Sequence, residues 1–359
     1  MQTNKNGSLV LSKNEYLIAG SLSGFVSRAI VQPLDVLKIR FQLQVEPISA
    51  SSASKYHGFA QAIRCISKEE GASAFWKGLI PAQLQAVTFS AMQFLSFEVL
   101  VSLFVQFNHH GGARRDPRSS LKSSNTFGTF ACGCIAGSIS AGFTQPLDVL
   151  RTRFIAQGEP KLYRSMTHAA LYITSHEGVS GFFRGLVPSL LLVAPQTGLQ
   201  FAIYHTFNRL VETVYDSWNK TKDRRNPNTL SEETQTLSGT TKDNTHVFNV
   251  GPVLSLVSGG LAGMGSKCVI YPLDMVKKRM QIQGFEEGRT GFGRVSTSRG
   301  MCDCLMKIWT TEGAVALFKG LRPTLLKSCV SISCRFTVYE QVCQLIYHLR
   351  HESTSGRTF

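Results

Sequence analysis

Six stretches of the chain are apolar for most of their length, and hydrophilic connectors separate them. Two carry almost no charge: Leu79 to Phe107 contains only Glu98, and Leu186 to Phe207 contains no Asp, Glu, Lys or Arg. Both exceed the roughly 20 residues that a helix needs to cross a bilayer. The other four carry a few charges at defined places: Glu15 to Gln44, Asn125 to Gln157, Val250 to Gln283 and Pro323 to Leu349. The pattern predicts an all-α membrane protein with six transmembrane helices.

The chain repeats itself at three places in register. The sequence PLDVLK, which starts at Pro33, returns as PLDVLR from Pro146 and as PLDMVK from Pro272. A Glu-Gly pair follows in each case, and after it an aromatic residue, a base and a glycine. A fixed internal period is typical of repeat architectures. We therefore predict three helix-loop-helix repeats with threefold pseudo-symmetry, each with a short surface helix between its two long helices.

Within each repeat, the proline is expected inside a helix, where it removes a backbone hydrogen bond and kinks the helix. A GxxxG pattern begins 13 residues before each proline and predicts close helix approach. The connectors set the domain boundaries. We predict an N-terminal tail (1–13), repeat one (14–107), a linker (108–124), repeat two (125–215), a flexible loop (216–248), repeat three (249–349) and a C-terminal tail (350–359).

The composition adds a basic excess to this apolar chain. Among 359 residues, 38 Lys and Arg against 23 Asp and Glu give a net charge of +15, while 43% of the residues are hydrophobic. Nucleic acid, an anionic membrane surface or an anionic small molecule could each explain such an excess. No RNA-recognition, zinc-finger or helix-turn-helix signature accompanies it, so we expect no nucleic-acid partner. No nucleophile, base and orienting group converge, so we expect no enzyme.

The cysteines and the first residues of the chain bear on disulfides, metal sites and targeting segments. The nine cysteines lack disulfide-like spacing and the paired CxxC arrangement of zinc sites. We expect buried reduced thiols and no metal. No secretory apolar segment opens the chain, and Met1 to Lys13 is too polar and too poor in Arg for a transit peptide. We expect no cleavable presequence, and an organelle address within the mature sequence.

This motif set resembles that of the mitochondrial carrier family, over nearly the whole chain from about Tyr16 to Tyr347. The resemblance implies a multi-pass solute transporter of the mitochondrial inner membrane. Because one chain already contains all three repeats of a closed pathway, we expect a monomer, and we expect no cofactor. The resemblance places the short surface helices on the matrix side and implies contacts with membrane lipids, cardiolipin among them. It also implies alternating access around a site at the membrane midplane.

By the same resemblance, six charged residues form a matrix gate that closes a central cavity. The implied ion pairs are Asp35 with Arg151, Asp148 with Lys277, and Asp274 with Lys38. A charge at membrane depth costs at least ~2.5 kcal/mol unless it is paired or wetted, which also favours pairing. Gln42 and Gln281 match the family's glutamine braces beneath the ring, whereas Ile155 stands at that position in the second repeat. A static network that only holds the bundle together is the alternative.

The opposite gate is degenerate in this sequence. The family's pattern of an aromatic residue, an acid and a later base persists as Phe97-Glu98, Tyr204-His205 and Tyr339-Glu340, with Val101, Asn208 and Cys343 where bases are expected. Because the acids lack aligned bases, we predict a poorly latched outer gate. The protein without substrate is then expected to rest open to the intermembrane space.

Positions at which the repeats differ are candidates for substrate binding, because an asymmetric solute needs unlike contacts. The family's contact points on the even-numbered helices fall on Gln85, on Leu192 with Val193, and on Lys327. Arg28 lies seven residues before Asp35, about two helical turns, and therefore on the same face. Lys267 stands in the same relation to Asp274.

We expect Arg28, Lys267 and Lys327 to be unpaired and to form one basic wall, with snorkelling or an unrecognised partner as the alternative. The opposite wall, from repeat two, is apolar or neutral and comprises Ala141, Leu192, Val193, Gln196 and Thr197. A diphosphate would lie against the first wall and an uncharged ring against the second. Arg335, which stands where the other repeats have Gln93 and Gln200, is a weaker candidate.

A closer resemblance within the family rests on KIRFQLQ from Lys38, FWKGLIPAQ from Phe75 and YPLDMVKKRMQIQGFE from Tyr271. It implies that the transported substrate is thiamine pyrophosphate, carried into the matrix in exchange for nucleotides or thiamine monophosphate. Two alternatives stay open. One is a nucleotide, deoxynucleotide or coenzyme A carrier, for which Phe89 offers a purine-stacking ring. The other is an uncoupler-like leak of anions or protons.

Overall fold

A computed structural model describes residues 12–46, 54–108, 126–225, 252–285, 288 and 297–355. Within these ranges every regular element is helical. The six long helices are α1 (Lys13–Leu43), α3 (Leu79–Asn108), α4 (Thr126–Ala156), α6 (Leu186–Arg225), α7 (Pro252–Gln281) and α9 (Leu321–Ser355). The three short helices are α2 (Phe59–Glu69), α5 (Met166–Glu177) and α8 (Met301–Glu312), and each is followed by a 3-10 turn: Ala72–Trp76, Val179–Phe183 and Ala314–Phe318.

The order of elements is the same three times over: a long helix, a short helix, a 3-10 turn and a second long helix. The predicted all-α fold of three repeats is therefore confirmed. Six long helices stand where six spans were predicted, and Pro33, Pro146 and Pro272 lie inside α1, α4 and α7. By length and composition alone, three segments of the described chain could cross a membrane: Asn14–Leu43, Ala72–Phe104 and Val179–Val211.

The chain forms two compact units. The first comprises Met1–Pro195 with Ile270–Phe359, and the second comprises Gln196–Val269. All six residues of the predicted matrix gate belong to the first unit. Lys267, Gln196 and Thr197 belong to the second.

The two sequence motifs of each repeat meet through one hydrogen bond. The residue before each motif proline donates to the carbonyl of the base that precedes the motif glycine: Gln32 Nε2 to Lys77 O at 2.9 Å, Gln145 Nε2 to Arg184 O at 2.8 Å, and Tyr271 Oη to Lys319 O at 2.8 Å. The contact fastens the middle of the first helix to the start of the second. It explains why both motifs recur in register.

The glycine of the second motif permits a close helix approach. Gly78 has a φ of 77°, in the left-handed region that favours glycine. A Cβ there would lie 3.1 Å from the carbonyl oxygen of Arg151. Gly185 and Gly320 stand in the same way against Lys277 and Lys38, at 3.0 and 2.9 Å. The starts of α3, α6 and α9 therefore pack on α4, α7 and α1 next to the gate bases.

Three details differ from the predictions. A Cβ added to Gly20, Gly24, Gly133, Gly259 or Gly263 would meet no atom of the described residues within 4 Å, so the close approach predicted from GxxxG is wrong at these five glycines. At the sixth, Gly137, it would meet Val193 at 2.8 Å.

The two other differences concern boundaries. The predicted flexible loop is wrong for residues 216–225, because α6 continues to Arg225. These residues include no glycine or proline to interrupt the helix. The rest of that predicted loop lies outside the described residues. At the chain's end, α9 continues to Ser355, within the predicted C-terminal tail.

Candidate functional site

Three ion pairs join α1, α4 and α7 to one another. They are Asp35 with Arg151 Nη2 at 2.6 Å, Asp148 with Lys277 Nζ at 2.8 Å, and Asp274 with Lys38 Nζ at 2.7 Å. We call these the first, second and third junctions, and together the gate network. Each carboxylate follows its motif proline by two residues, and each base follows by five. The threefold repeat thus places every acid of one helix opposite the base of another.

The glutamines predicted as braces contact the carboxylates. Gln281 Nε2 donates to Asp148 at 2.7 Å, and Gln42 Nε2 donates to Asp274 at 3.1 Å. At the first junction the corresponding residue is Ile155, which is fully buried among apolar side chains. Two junctions therefore carry a neutral donor in addition to their base, and the first carries none at that position.

A second lysine, Lys278, also belongs to the gate network. Its Nζ donates to Asp148 at 3.0 Å, to Gln281 Oε1 at 2.9 Å and to Thr152 Oγ1 at 3.0 Å. Sequence reasoning missed this residue. The available signal was the doubled base Lys277-Lys278, because the first and second repeats have Ile39 and Thr152 after their gate bases.

The prediction that Lys327 is unpaired is wrong. Its ammonium group forms an ion pair with Asp35, which therefore holds both Lys327 and Arg151. The reason is the register of α9 on α1: Gly320 lies against the Lys38 carbonyl, and Lys327 is two turns farther along.

The two other bases of the predicted wall differ from each other. Arg28 makes no ion pair within the described chain, and its Nη1 donates to Ala82 O at 3.4 Å. Lys267 lies in the second unit and has an interaction partner, so the expectation that it is unpaired is also wrong. A lysine side chain is long enough to find an acceptor that an aligned motif does not reveal.

The remaining predicted contact residues lie in the first unit. Gln85 Oε1 accepts a hydrogen bond from Arg151 Nη1 at 3.3 Å, which ties this position to the first junction. Leu192 is buried, and Val193 lies against Gly137. Repeat one therefore offers a polar contact point and repeat two an apolar one.

A second set of ion pairs lies at the ends of the same helices and repeats in all three repeats. It joins Arg40 with Glu70, Arg153 with Glu177, and Arg279 with Glu312, with Nη2 to Oε2 distances of 2.7, 2.9 and 2.8 Å. We call these three pairs the clasp. The base of the second motif also contacts each glutamate: Lys77, Arg184 and Lys319. Sequence reasoning missed the clasp, although an arginine follows each motif proline by seven residues.

Each clasp arginine also closes the end of a neighbouring helix. The Nε atoms donate to backbone carbonyls as follows: Arg40 to Ile155 at 3.3 Å, Arg153 to Gln281 at 3.2 Å, and Arg279 to Gln42 at 3.2 Å. The last carbonyls of a helix lack partners within it and carry partial negative charge. The guanidinium groups satisfy them in a cycle through α1, α4 and α7.

Two clasp carboxyls have altered acidity. Burial would raise the pKa of Glu70, but hydrogen bonds and attraction from Arg40 and Lys77 bring it below the usual range of a glutamate. Burial acts on Glu312 in the same way, and Arg279 with Lys319 lowers its pKa. Both carboxyls are therefore ionised at neutral pH.

The outer-gate positions contrast with the gate network. Glu98 and Glu340 are exposed, and neither forms an ion pair with any other described residue. Val101 and Cys343, where bases were expected, are buried. In the second unit, the Tyr204 ring packs edge-on against His205 with centroids 5.8 Å apart.

Comparison with known proteins now gives the family. The family model described as mitochondrial carrier protein matches residues 11–108, 122–215 and 249–349. The chain is 40% identical over 342 residues to the mitochondrial thiamine pyrophosphate carrier of Bos taurus, covering 95% of both chains. It is 40% identical over 347 residues to the Homo sapiens protein of the same name, covering 96% of both. The mitochondrial thiamine diphosphate carrier 1 of Zea mays is 35% identical over 340 residues, covering 92% of this chain and 93% of that one. The chain belongs to the mitochondrial carrier family and is a transporter rather than an enzyme.

Proposed function

We propose that this carrier transports thiamine pyrophosphate across the mitochondrial inner membrane into the matrix, in exchange for nucleotides or thiamine monophosphate. The names of its relatives support the substrate. The observation that carries the proposal is Lys327, a base at a predicted contact point that shares the Asp35 carboxylate with the gate. An anion bound to this lysine acts directly on the gate network.

The charges near the first junction suit a diphosphate. Lys327 and Arg28 both belong to the first unit, and Arg28 donates to the carbonyl oxygen of Ala82 at 3.4 Å without an ion pair to any described residue. Cations at membrane depth are expensive and mark substrate pathways when they face a cavity. Phosphate oxygens are strong acceptors for both groups. The apolar contact point at Leu192 and Val193 suits the uncharged part of a solute.

The gate network supplies the alternating access of the proposal. Its bases are 8–29% exposed and Asp274 is 24% exposed, whereas Asp35 and Asp148 are buried. The partly exposed pair of Asp274 with Lys38 is worth about 1 kcal/mol or less, so it can be broken and remade in a transport cycle. We further propose that the protein without substrate rests open to the intermembrane space, because Glu98 and Glu340 have no basic partner within the described chain.

The experiment is exchange in liposomes that contain the purified full chain. Thiamine pyrophosphate should exchange rapidly, and ATP, dATP and coenzyme A more slowly. Rapid exchange of a nucleotide or coenzyme A with none of thiamine pyrophosphate would contradict the proposed substrate. Conductance without any substrate would favour a leak instead.

Lys327→Gln tests the contact. We expect loss of uptake by about tenfold or more, because a charge-assisted hydrogen bond to phosphate contributes about 1.5–3 kcal/mol. Lys161→Gln is the matched control, since the Lys161 side chain is 53% exposed and 3.8 Å from Glu159. Near-normal uptake by Lys327→Gln would show that Lys327 is not a substrate contact.

Cysteine labelling from either side of the membrane without substrate tests the resting state. Labelling of the cavity from the matrix side would contradict a resting state that is open to the intermembrane space.

A further inference from the structure

Arg335 lies in the middle of α9, eight residues after Lys327. Each residue turns an α-helix by about 100°, so Val342 and Ile346 lie within about 20° of Arg335 around the axis. Both belong to the apolar cluster that contains Ala19 of α1. Arg335 therefore stands on the face of α9 that packs against α1.

The level of this arginine along α1 follows from two contacts between the helices. Lys327 pairs with Asp35. Cys343, 16 residues farther along α9, belongs to the same cluster as Ala19, which is 16 residues back along α1. The two helices are thus antiparallel, and the midpoint of this stretch of α9 is level with the midpoint of the matching stretch of α1. On α1 that midpoint is next to Arg28.

Arg28 and Arg335 are two cations at one level, and neither charge is balanced by an ion pair within the described chain. Their guanidinium groups are close enough to repel each other. Arg335 is exposed and makes no ion pair or hydrogen bond with any described residue, whereas Arg28 donates to Ala82 O. Neither has an Asp or Glu three or four residues away on its own helix. Like charges at membrane depth are costly, and an anion between them removes that cost.

Arg28 also connects Arg335 to the first junction, because it lies within electrostatic reach of both Asp35 and Arg151. Side chains lean toward the start of their helix, so Arg335 leans along α9 toward Lys327. The eight residues between these two bases correspond to about 12 Å along the axis. One phosphate group is too small to span that distance. Two linked phosphates, together with the lean of the long arginine side chain, are better matched to it.

We propose that Arg335 is a further substrate-binding residue, which holds the second phosphate of a diphosphate together with Arg28 while Lys327 holds the first. Guanidinium groups bind phosphate oxygens through paired, charge-assisted hydrogen bonds. A monophosphate reaches only one of the two levels, so Arg335 makes the carrier prefer diphosphates. The inference rests on the proposed transport of a phosphorylated solute, and it adds one residue and one selectivity to that proposal.

Exchange in liposomes by Arg335→Gln tests the assignment. We expect the thiamine pyrophosphate concentration that gives half-maximal exchange to rise about tenfold, the effect of one lost charge-assisted hydrogen bond. The corresponding concentration of thiamine monophosphate should change by less than about twofold. Arg335→Lys keeps the charge without the paired donors, so its loss should be smaller.

Arg64→Gln is the matched control. Arg64 is exposed on α2 and makes no ion pair or hydrogen bond with any described residue, so its removal changes only the net charge. Both half-maximal concentrations should stay at the values of the unchanged protein. An equal rise for both thiamine phosphates in Arg335→Gln would mean general attraction of anions, and would overturn the selectivity. Unchanged values for both would show that Arg335 is not a substrate contact.

Thermal unfolding of the purified protein gives a second readout that does not depend on transport. Arg335 makes no described contact, so Arg335→Gln should unfold at the same midpoint as the unchanged protein when no substrate is present. A bound ligand raises the midpoint according to its affinity. Thiamine pyrophosphate should therefore raise it more than thiamine monophosphate does, and Arg335→Gln should remove this difference. Persistence of the difference in the variant would refute the role of Arg335.

A wrong substrate and a wrong role for Arg335 give different results. If the unchanged carrier exchanges nucleotides but no thiamine phosphate, the proposed substrate is refuted, and ADP is then compared with AMP in the same way. Loss of the preference for ADP in Arg335→Gln would support the inference. Retention of that preference would overturn it for nucleotides as well.

Discussion

The gate network and the clasp use the same kinds of charges on the same three helices, yet they are built differently. The clasp is the same in each repeat, with one arginine, one glutamate and one further base, and its arginines are at most 3% exposed. The gate network differs at every junction, and its bases are 8–29% exposed. Symmetry and burial accompany the contacts that hold the repeats together. Asymmetry and exposure accompany the contacts that have to respond to an asymmetric solute.

The largest expected effect comes from breaking the clasp. Glu177→Gln leaves Arg153, which is fully buried, without a balancing charge. Removal of one partner from a buried pair destabilises by about 3–5 kcal/mol. We expect a large fall in the thermal unfolding midpoint of the purified protein, or failure to obtain folded protein.

Glu159→Gln is the matched control in the same repeat, because this carboxylate is 40% exposed and 3.3 Å from Lys77. Its effect should stay within about 1 kcal/mol. Equal midpoints for Glu177→Gln and Glu159→Gln would show that the clasp does not hold the repeats together.

The gate pairs could be predicted and the clasp could not, for a definite reason. Asp35 and Arg151 belong to a six-residue motif that occurs three times, and the resemblance of this motif to the carrier family implied how its charges pair. Arg40 and Glu70 are 30 residues apart and belong to different elements. Only the packing of α2 back onto α1 brings them together, and each residue read alone fits an ordinary polar helix end.

The ion-pair partners of single lysines were less predictable still. Lys327 was expected to be unpaired because no acid aligns with it in its own repeat. Its partner, Asp35, is 292 residues away in another repeat. The register of α9 on α1 decides that contact, and a repeat alignment contains no information about register between repeats.

A middle-sized effect should come from the glycines that bring the helices together. Gly78→Ala forces a left-handed backbone on alanine and puts its Cβ 3.1 Å from the Arg151 carbonyl. We expect a loss of about 1–3 kcal/mol in unfolding free energy. Gly71 has a φ of 79° and no atom of the described chain within 4 Å of its Cβ position, so Gly71→Ala isolates the backbone strain. A smaller loss for Gly78→Ala than for Gly71→Ala would contradict the close approach.

The gate network should show a smaller stability effect and a larger transport effect. Asp274 is 24% exposed, so Asp274→Asn should cost about 1 kcal/mol or less in unfolding free energy. Exchange in liposomes should nevertheless be nearly lost, since Lys38 then lacks its gate partner. Thermal unfolding and exchange measured on one preparation separate the two. A stability loss as large as that of Glu177→Gln would mean that this junction is a static support.

The smallest effect is the acid dependence of the clasp. Burial would raise the pKa of Glu312, but Arg279 and Lys319 lower it below the usual value. The folded chain therefore binds this proton less readily than the unfolded chain does. Its stabilisation is therefore fully present above the pKa of an unfolded glutamate, about 4.3, and is lost as the pH falls through the lowered folded pKa. We expect an unfolding midpoint that is level from about pH 7 to 5 and falls at lower pH. Glu312→Gln should start lower and fall less steeply, because its own share of the proton linkage is gone. Parallel curves of unfolding midpoint against pH for the two proteins below pH 5 would contradict the proposal that ionised Glu312 stabilises the fold by balancing the charge of buried Arg279.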